Sequence, residues 1–246
     1  MKAPGKAPEF WRTGGWPAAA LAPASWLWRL GGLVRRVTAR PCATSVPLIC
    51  VGNVVAGGAG KTPTVIALAG ELALRGKRVG LLSRGHGGRL KGPLLVDPAT
   101  HSAADVGDEP LLLACGAPTV IARDRAAGTR LLETLGVDVI VMDDGLQNPS
   151  LQPSLSLLVV DGTSGIGNGY VMPAGPLREP FESALARVAA VVVIGEDRAG
   201  VADLVDRRKP VLTARLEPAA SALRFAGRKV LGFAGIGRPE KFRETL

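Results

Sequence analysis

The stretch Val51-Gly52-Asn53-Val54-Val55-Ala56-Gly57-Gly58-Ala59-Gly60-Lys61-Thr62-Pro63 leaves the chain little choice of architecture. It follows a short apolar run at 48–51 and opens a segment of helical spacing at 62–75. A buried strand must therefore turn sharply into a helix N-terminus. Glycines let backbone N–H groups turn toward an anion there, and the helix end adds partial positive charge. A lysine closing such a loop reaches the β- and γ-phosphates of a nucleotide, and the adjoining threonine hydroxyl can ligate Mg2+. Gly57, Gly58, Ala59, Gly60, Lys61 and Thr62 are thus expected to bind ATP. The strict pattern asks for glycine six residues before the lysine, where this chain has Val55. Gly-Gly-x-Gly-Lys-Thr keeps the half that touches phosphate, so the loop is a variant rather than a purely structural turn.

A second run, Val139-Ile140-Val141-Met142, ends in Asp143-Asp144-Gly145-Leu146-Gln147. Carboxylates at the end of an apolar strand beside a phosphate loop can hold Mg2+ or its water shell. Asp143 and Asp144 join Thr62 as metal candidates. Val106-Gly107-Asp108-Glu109-Pro110 precedes an apolar helix. Asp108 and Glu109 read there as a cap and first-turn acid, or as a carboxylate that takes a proton from an acceptor hydroxyl. The residues alone favour the cap. Glu109 is a further metal candidate.

Ser83-Arg84-Gly85-His86-Gly87-Gly88 follows a strand expected at 78–82, at the carboxyl end where open sheets bind ligands. Pro173-Ala174-Gly175-Pro176-Leu177-Arg178-Glu179-Pro180 is a rigid, charged loop. Either stretch reads as a binding loop or a solvated turn. Arg123, after a strand at 119–122, faces a phosphate or pairs with an acid such as Asp124. Further apolar strands are expected at 137–142, 155–160 and 188–194, with a helix at 125–135. Continuous apolar runs alternating with helices indicate an α/β, P-loop NTPase-like fold, its mostly parallel sheet covered on both faces. Beyond 210 the texture changes to two extended segments at 211–216 and 221–225, then a strand at 229–234 and a helix opening at Pro239.

The N-terminus is of another kind. All four tryptophans fall within the first 28 residues, and in residues 1–40 seven basic side chains face a single acid, Glu9. Residues 1–25 read as irregular. From Trp26 onward Trp26, Leu27, Leu30, Leu33, Val34 and Val37 recur at helical spacing, with Arg29, Arg35, Arg36 and Arg40 directed elsewhere. Such a helix packs on its own domain or lies in an anionic membrane interface. The formal charge of +9 comes with no nucleic-acid motif and few aromatics for stacking, which sets nucleic acid aside. Three cysteines lack metal-ligand spacing, and two histidines exclude a His-rich site. No apolar run reaches the ~18 residues of a membrane span, and no signal-peptide pattern opens the chain.

Together these motifs resemble the tetraacyldisaccharide 4'-kinase family. The resemblance rests on Gly52-Asn53 with Gly57–Pro63, on Leu82–Gly88, on Val106–Pro110 and on Asp143–Gln147. It continues through Pro173–Pro180 and Gly235-Ile236-Gly237-Arg238-Pro239, in the family's order. It implies Mg2+- and ATP-dependent phosphorylation of the 4'-hydroxyl of an acylated disaccharide 1-phosphate lipid, forming lipid IVA, at the cytoplasmic face of the bacterial inner membrane. Asp108 then becomes the general base, and Lys61 neutralises the transferring group. Thr62 with Asp143 or Asp144 holds Mg2+, and Arg123 stabilises phosphate charge. Ser83, Arg84, Gln147, Arg178 and Glu179 line the sugar-lipid side. The family's histidine after Asp-Asp-Gly-x-Gln is here Asn148, which can hydrogen-bond a sugar but cannot titrate. The family's Asp-His-His motif has no counterpart after His101, so the sequence reads as lacking the family's C-terminal end, with turnover expected to suffer.

The expected organisation is a basic amphipathic membrane-interface segment at 1–41, a P-loop kinase domain at 42–209, linker strands at 210–228 and the start of a further domain at 229–246. A membrane-associated P-loop ATPase switch and a catalytically weak nucleotide-binding relic remain as alternatives. A switch would not need the loops at 83–88 and 177–180.

Overall fold

In the computed structural model the described residues are 7–217 with 222, 227 and 229. Apart from Ala222 and Lys229, the segments expected at 221–225, 229–234 and from Pro239 lie outside them. One sheet has the strand order β3-β4-β2-β5-β1-β6-β7-β8. Its strands are β1 (Leu48–Gly52), β2 (Val79–Ser83), β3 (Leu94–Leu95), β4 (Thr119–Ile121), β5 (Val139–Asp143), β6 (Leu155–Asp161), β7 (Ala190–Ile194) and β8 (Val211–Ala214). Neighbours run parallel except at the β3–β4 edge. β2, β5 and β7 are buried along their whole length, as strands covered on both faces must be, and this explains their unbroken apolar runs.

The helices are α1 (Phe10–Thr13), α2 (Trp16–Val37), α3 (Lys61–Leu74), α4 (Ala103–Val106), α5 (Asp108–Ala114), α6 (Arg125–Thr134) and α7 (Phe181–Leu185). Successive strand residues point to opposite faces. Leu81 and Val141 meet Val65 and Ala69 of α3 and Leu113 of α5. Leu82, Ile140 and Met142 meet Leu132 of α6 on the other side. A third cluster gathers Val54, Leu177 and Phe181 around β6 and β7.

Two segments differ from their sequence reading. Val211–Ala214, read as part of a linker, pairs in parallel with β7 from Val191↔Val211 to Ile194↔Ala214. It is a largely exposed edge strand, so no buried apolar pattern announced it. Residues 16–25, read as irregular, are the first half of α2. Pro17 sits in the first turn, where its missing N–H costs nothing, and the alanine-rich sequence after it is the best helix former.

Candidate active site

β1 and β5 are adjacent and in a register that sets Val51 beside Asp143. The phosphate loop and the acidic turn therefore leave the sheet together. Gly60 caps α3 with φ 91, a left-handed conformation, and a Cβ there would lie 3.1 Å from Ile194 Cγ1. Glycine is needed at that step. Asn53, fully buried, shapes the loop from inside: its Nδ2 donates to Val55 O at 2.8 Å and to Gly57 O at 3.3 Å. Its Oδ1 accepts Lys61 Nζ at 3.3 Å, and Lys61 Nζ lies 3.7 Å from Asp144 Oδ1. The ammonium is thus held over the loop by weak contacts that a phosphate could replace.

Thr62 Oγ1 donates to Asp143 Oδ2 at 3.3 Å. The other oxygen, Asp143 Oδ1, is buried without a hydrogen-bond partner. Burial pushes the Asp143 carboxyl up to about 6, and the nearby Glu109 carboxylate adds to the push. Asp144 stands at φ 53, anchored by its N–H to Val51 O at 2.9 Å. Burial by itself would raise its carboxyl, yet Lys61 and Arg178 outweigh burial and hold it below the ordinary carboxylate range. Two adjacent acids are thereby driven apart, one toward the proton and one toward its charge.

Asp108 opens α5 and is exposed, and Gly107 is the N-cap. Among the described residues the Asp108 carboxylate accepts the N–H of Glu109, at 3.0 Å, and no side-chain hydrogen bond caps the helix. Gly107 has φ 93, and a Cβ there would fall 2.3 Å from His86 O. The loop after β2 and the Asp108 turn therefore interlock through backbone, and both face the carboxyl edge of the sheet. Ser83 is buried at the end of β2, and Arg84 is exposed beyond it.

The residues expected on the acceptor side divide in two. Arg178 pairs with Asp144 at 2.9 Å, and its N–H donates to Val54 O at 2.7 Å. Gln147 Nε2 donates to Asn53 O at 2.9 Å and to Glu179 Oε1 at 3.0 Å. Glu179, expected to line the substrate, is buried, and its Oε2 is taken by Arg36 and by Arg187. Both carboxylate oxygens are thus engaged within the protein. Arg123 is exposed and lies with Arg35, Arg40 and Asn148 beside the carboxyl end of α2.

Sequence reasoning passed over three residues here. Asn53 stood in the quoted motif without a role. Arg36 was counted among the solvent- or lipid-facing arginines of α2. Arg125 is 2% exposed, with Nη2 3.4 Å from Asp143 O. Burial lowers its guanidinium to about 10, and the charge of Arg84 adds to that. The available signal was an arginine in the first turn after a buried strand, where a structural helix has no use for one.

The family model for tetraacyldisaccharide-1-P 4'-kinase matches residues 17–246. The tetraacyldisaccharide 4'-kinase of Rhodospirillum centenum is 56% identical over 247 residues, covering 98% of this chain and 73% of that protein. That of Methylobacterium nodulans is 55% identical over 254 residues, with 98% and 73% covered. Among solved structures, LpxK from Aquifex aeolicus in complex with ATP superposes with a TM-score of 0.68 at 32% identity. The match covers 80% of this chain and 64% of that one.

Proposed function

This chain belongs to the tetraacyldisaccharide-1-P 4'-kinase family of lipid A biosynthesis, and from that premise we propose how its residues divide the transfer of the ATP γ-phosphoryl group to the acceptor's 4'-hydroxyl. Gly57–Thr62 cradle the phosphates through backbone N–H groups. Lys61 moves from Asn53 onto the transferring group, whose charge it offsets. The 4'-oxygen bonds to the γ-phosphorus as the bond to the ADP oxygen breaks, and the Asp108 carboxylate takes the hydroxyl proton. Arg178, held by Asp144, and Gln147, held by Glu179, orient the sugar. Ser83 and Arg84 approach from the neighbouring strand end, and Asn148 offers an amide to the sugar.

Thr62 and Asp143 would hold Mg2+, which when bound offsets charge on the β- and γ-phosphates. The bare, buried Asp143 Oδ1 fits that use, since a cation satisfies an oxygen that no donor reaches. Among the described residues no group of three or more His, Cys, Asp or Glu side chains converges. That suits an ion which takes most of its ligands from phosphate and water. Glu109 acts on the site through its charge on Asp143.

The acceptor is a lipid, and α2 offers it a surface. Only Ala18 and Ser25 of α2 are buried, with Ser25 Oγ donating to Val171 O at 2.7 Å. Trp26, Leu27, Leu30, Leu33, Val34 and Val37 are all exposed, Leu27 by 73%. Arg29 lies over the Trp26 ring at 4.8 Å. No described helix is long and apolar enough to cross a membrane. A helix tied down along one line and apolar on the other suits a peripheral position on the cytoplasmic face of the inner membrane, among anionic lipids.

The pairing of Thr62 with Asp143 beside Lys61 is the observation that carries this reading. Incubation with γ-labelled ATP and tetraacyldisaccharide 1-phosphate should label the lipid with the wild-type chain and not with Thr62→Ala/Asp143→Ala. Hydrolysis of ATP with no label in the lipid would favour an ATPase instead.

A further inference from the structure

The phosphate loop departs from the strict pattern in its first half, and that half has a partner of its own. Val55 forms an antiparallel bridge with Leu177, Ala56 N–H donates to Pro176 O at 2.8 Å, and Arg178 N–H donates to Val54 O at 2.7 Å. Residues 54–56 are thus a short ribbon laid against the loop that carries Arg178 and Glu179. A β-branched valine suits such pairing, where glycine would not. The second half, from Gly57 to Lys61, is the part that cradles phosphate.

Asn53 lies under the junction of the two halves, fully buried. Its Nδ2 donates to Val55 O at 2.8 Å and to Gly57 O at 3.3 Å, one carbonyl from each half. In a planar trans peptide the C=O and the following N–H point in opposite directions. Holding Val55 O therefore turns Ala56 N–H away from Asn53, and that N–H is the one bonded to Pro176 O. Holding Gly57 O turns Gly58 N–H away in the same manner. Gly58 is exposed, so this donor is presented outward, where an anion can meet it. Between the two held carbonyls Gly57 takes φ 126, a conformation L side chains rarely adopt. The same asparagine accepts Lys61 Nζ on Oδ1 at 3.3 Å and Gln147 Nε2 on its main-chain oxygen at 2.9 Å.

We propose that Asn53 is a positioning residue that registers the two substrates against each other. The inference rests on the kinase reading above and deepens it. One side-chain amide aims the Gly57–Gly58 peptide at the nucleotide and locks the Val55–Ala56 peptide onto the acceptor-side loop. Only an amide does both. An apolar side chain releases the two carbonyls, and a carboxylate repels them while competing with phosphate for Lys61.

ATP binding is measured by calorimetry for the wild type, Asn53→Ala and Asn53→Asp, and thermal melting sets the range in which each is folded. Lipid phosphorylation is measured on the same preparations with ATP and tetraacyldisaccharide 1-phosphate varied in turn. Asn53→Ala should weaken ATP binding by about ten-fold, the worth of roughly two hydrogen bonds. It should also lower kcat as well as raise KM for ATP, since both peptides lose their aim. Asn53→Asp, though nearly the same in volume, should bind ATP more weakly than Asn53→Ala. A residue that merely fills space gives the reverse order, because alanine leaves a void and aspartate does not. AMP, which has no β- or γ-phosphate, is the control, and its affinity should stay within about two-fold of wild type in both variants. ATP affinity within about two-fold of wild type in folded Asn53→Ala overturns the assignment. So does the reverse order of the two variants, or a loss for AMP equal to that for ATP. If the aspartate variant does not fold, Asn53→Ala with its AMP control decides. A wild type that binds ATP but leaves the lipid unlabelled sinks the kinase reading, and the ATP and AMP titrations still decide whether Asn53 aims the loop.

Discussion

The Arg36 guanidinium of α2 closes on Glu179 Oε2, while Gln147 donates to Glu179 Oε1 at 3.0 Å. One residue earlier, Arg178 pairs with Asp144 at 2.9 Å, and its carbonyl accepts the Trp28 indole N–H, also at 2.9 Å. The helix that presents an apolar face to its surroundings is thus wired into the turn that carries the site's acids. A buried carboxylate shared by two arginines and an amide has a fixed place, which is what a positioning element requires.

Removing that carboxylate should therefore be severe. Glu179→Ala leaves Arg36 and Arg187 without their carboxylate and strips Gln147 of an acceptor, so chemical denaturation should show a loss of about 3 kcal/mol or more. The exposed pair Glu71–Arg75 is the control, since Glu71→Ala should cost about 0.5 kcal/mol or less. Similar losses in the two variants would place Glu179 on an ordinary surface.

Asp143 gives a pH dependence of definite sign. Its carboxyl titrates at about 6 in the folded chain and near ~4 when unfolded. Between those values the folded state binds more protons, so this group's contribution lowers stability as pH rises, and the full cost is present above about 6. Asp143→Asn carries no such charge. At pH 7.5 the nucleotide-free variant should be more stable than the wild type by roughly 1–3 kcal/mol. That gain should vanish as pH falls toward ~4. Addition of Mg2+ and ATP should stabilise the wild type and no longer the variant. A wild type more stable than Asp143→Asn at pH 7.5 would mean that Oδ1 is not a bare buried oxygen.

The apolar runs of β1, β2, β5 and β7 made the parallel sheet legible, because a strand buried on both faces has nothing else to be. The phosphate loop and Asp143–Asp144 were legible for the same reason: they sit where such strands end. β8 was read as extended, and only its place in the sheet was missed, because a largely exposed strand bears no buried apolar pattern. The first half of α2 was hidden because a segment rich in Pro, Gly and Ala reads as irregular, although Pro17 at the helix start is neutral. Glu179 and Arg36 were misplaced since sequence reports a charge without its burial. Their pairing joins residues 143 positions apart, a separation that no local spacing rule spans.

The exposed face of α2 should be dispensable for nucleotide and necessary for lipid. Leu27→Ser/Leu30→Ser/Leu33→Ser removes apolar surface that the fold does not bury, so melting should change little. Co-sedimentation with anionic vesicles should drop by about ten-fold or more, since each leucine contributes roughly 1.5 kcal/mol or more when buried. A sharp fall in melting temperature with vesicle binding intact would show that this face packs against protein.

The central claim is that Lys61 handles the nucleotide while Asp108 takes the acceptor's proton, and one paired experiment tests it most directly. ATP binding by calorimetry and lipid phosphorylation are measured on the same preparations of wild type, Lys61→Ala and Asp108→Ala. Lys61→Ala should weaken ATP binding and abolish turnover. Asp108→Ala should keep ATP affinity within about two-fold of wild type while turnover falls by about 10²–10⁴-fold. Equal loss of ATP affinity in both variants would contradict the account and return Asp108 to the first turn of α5 as a structural acid.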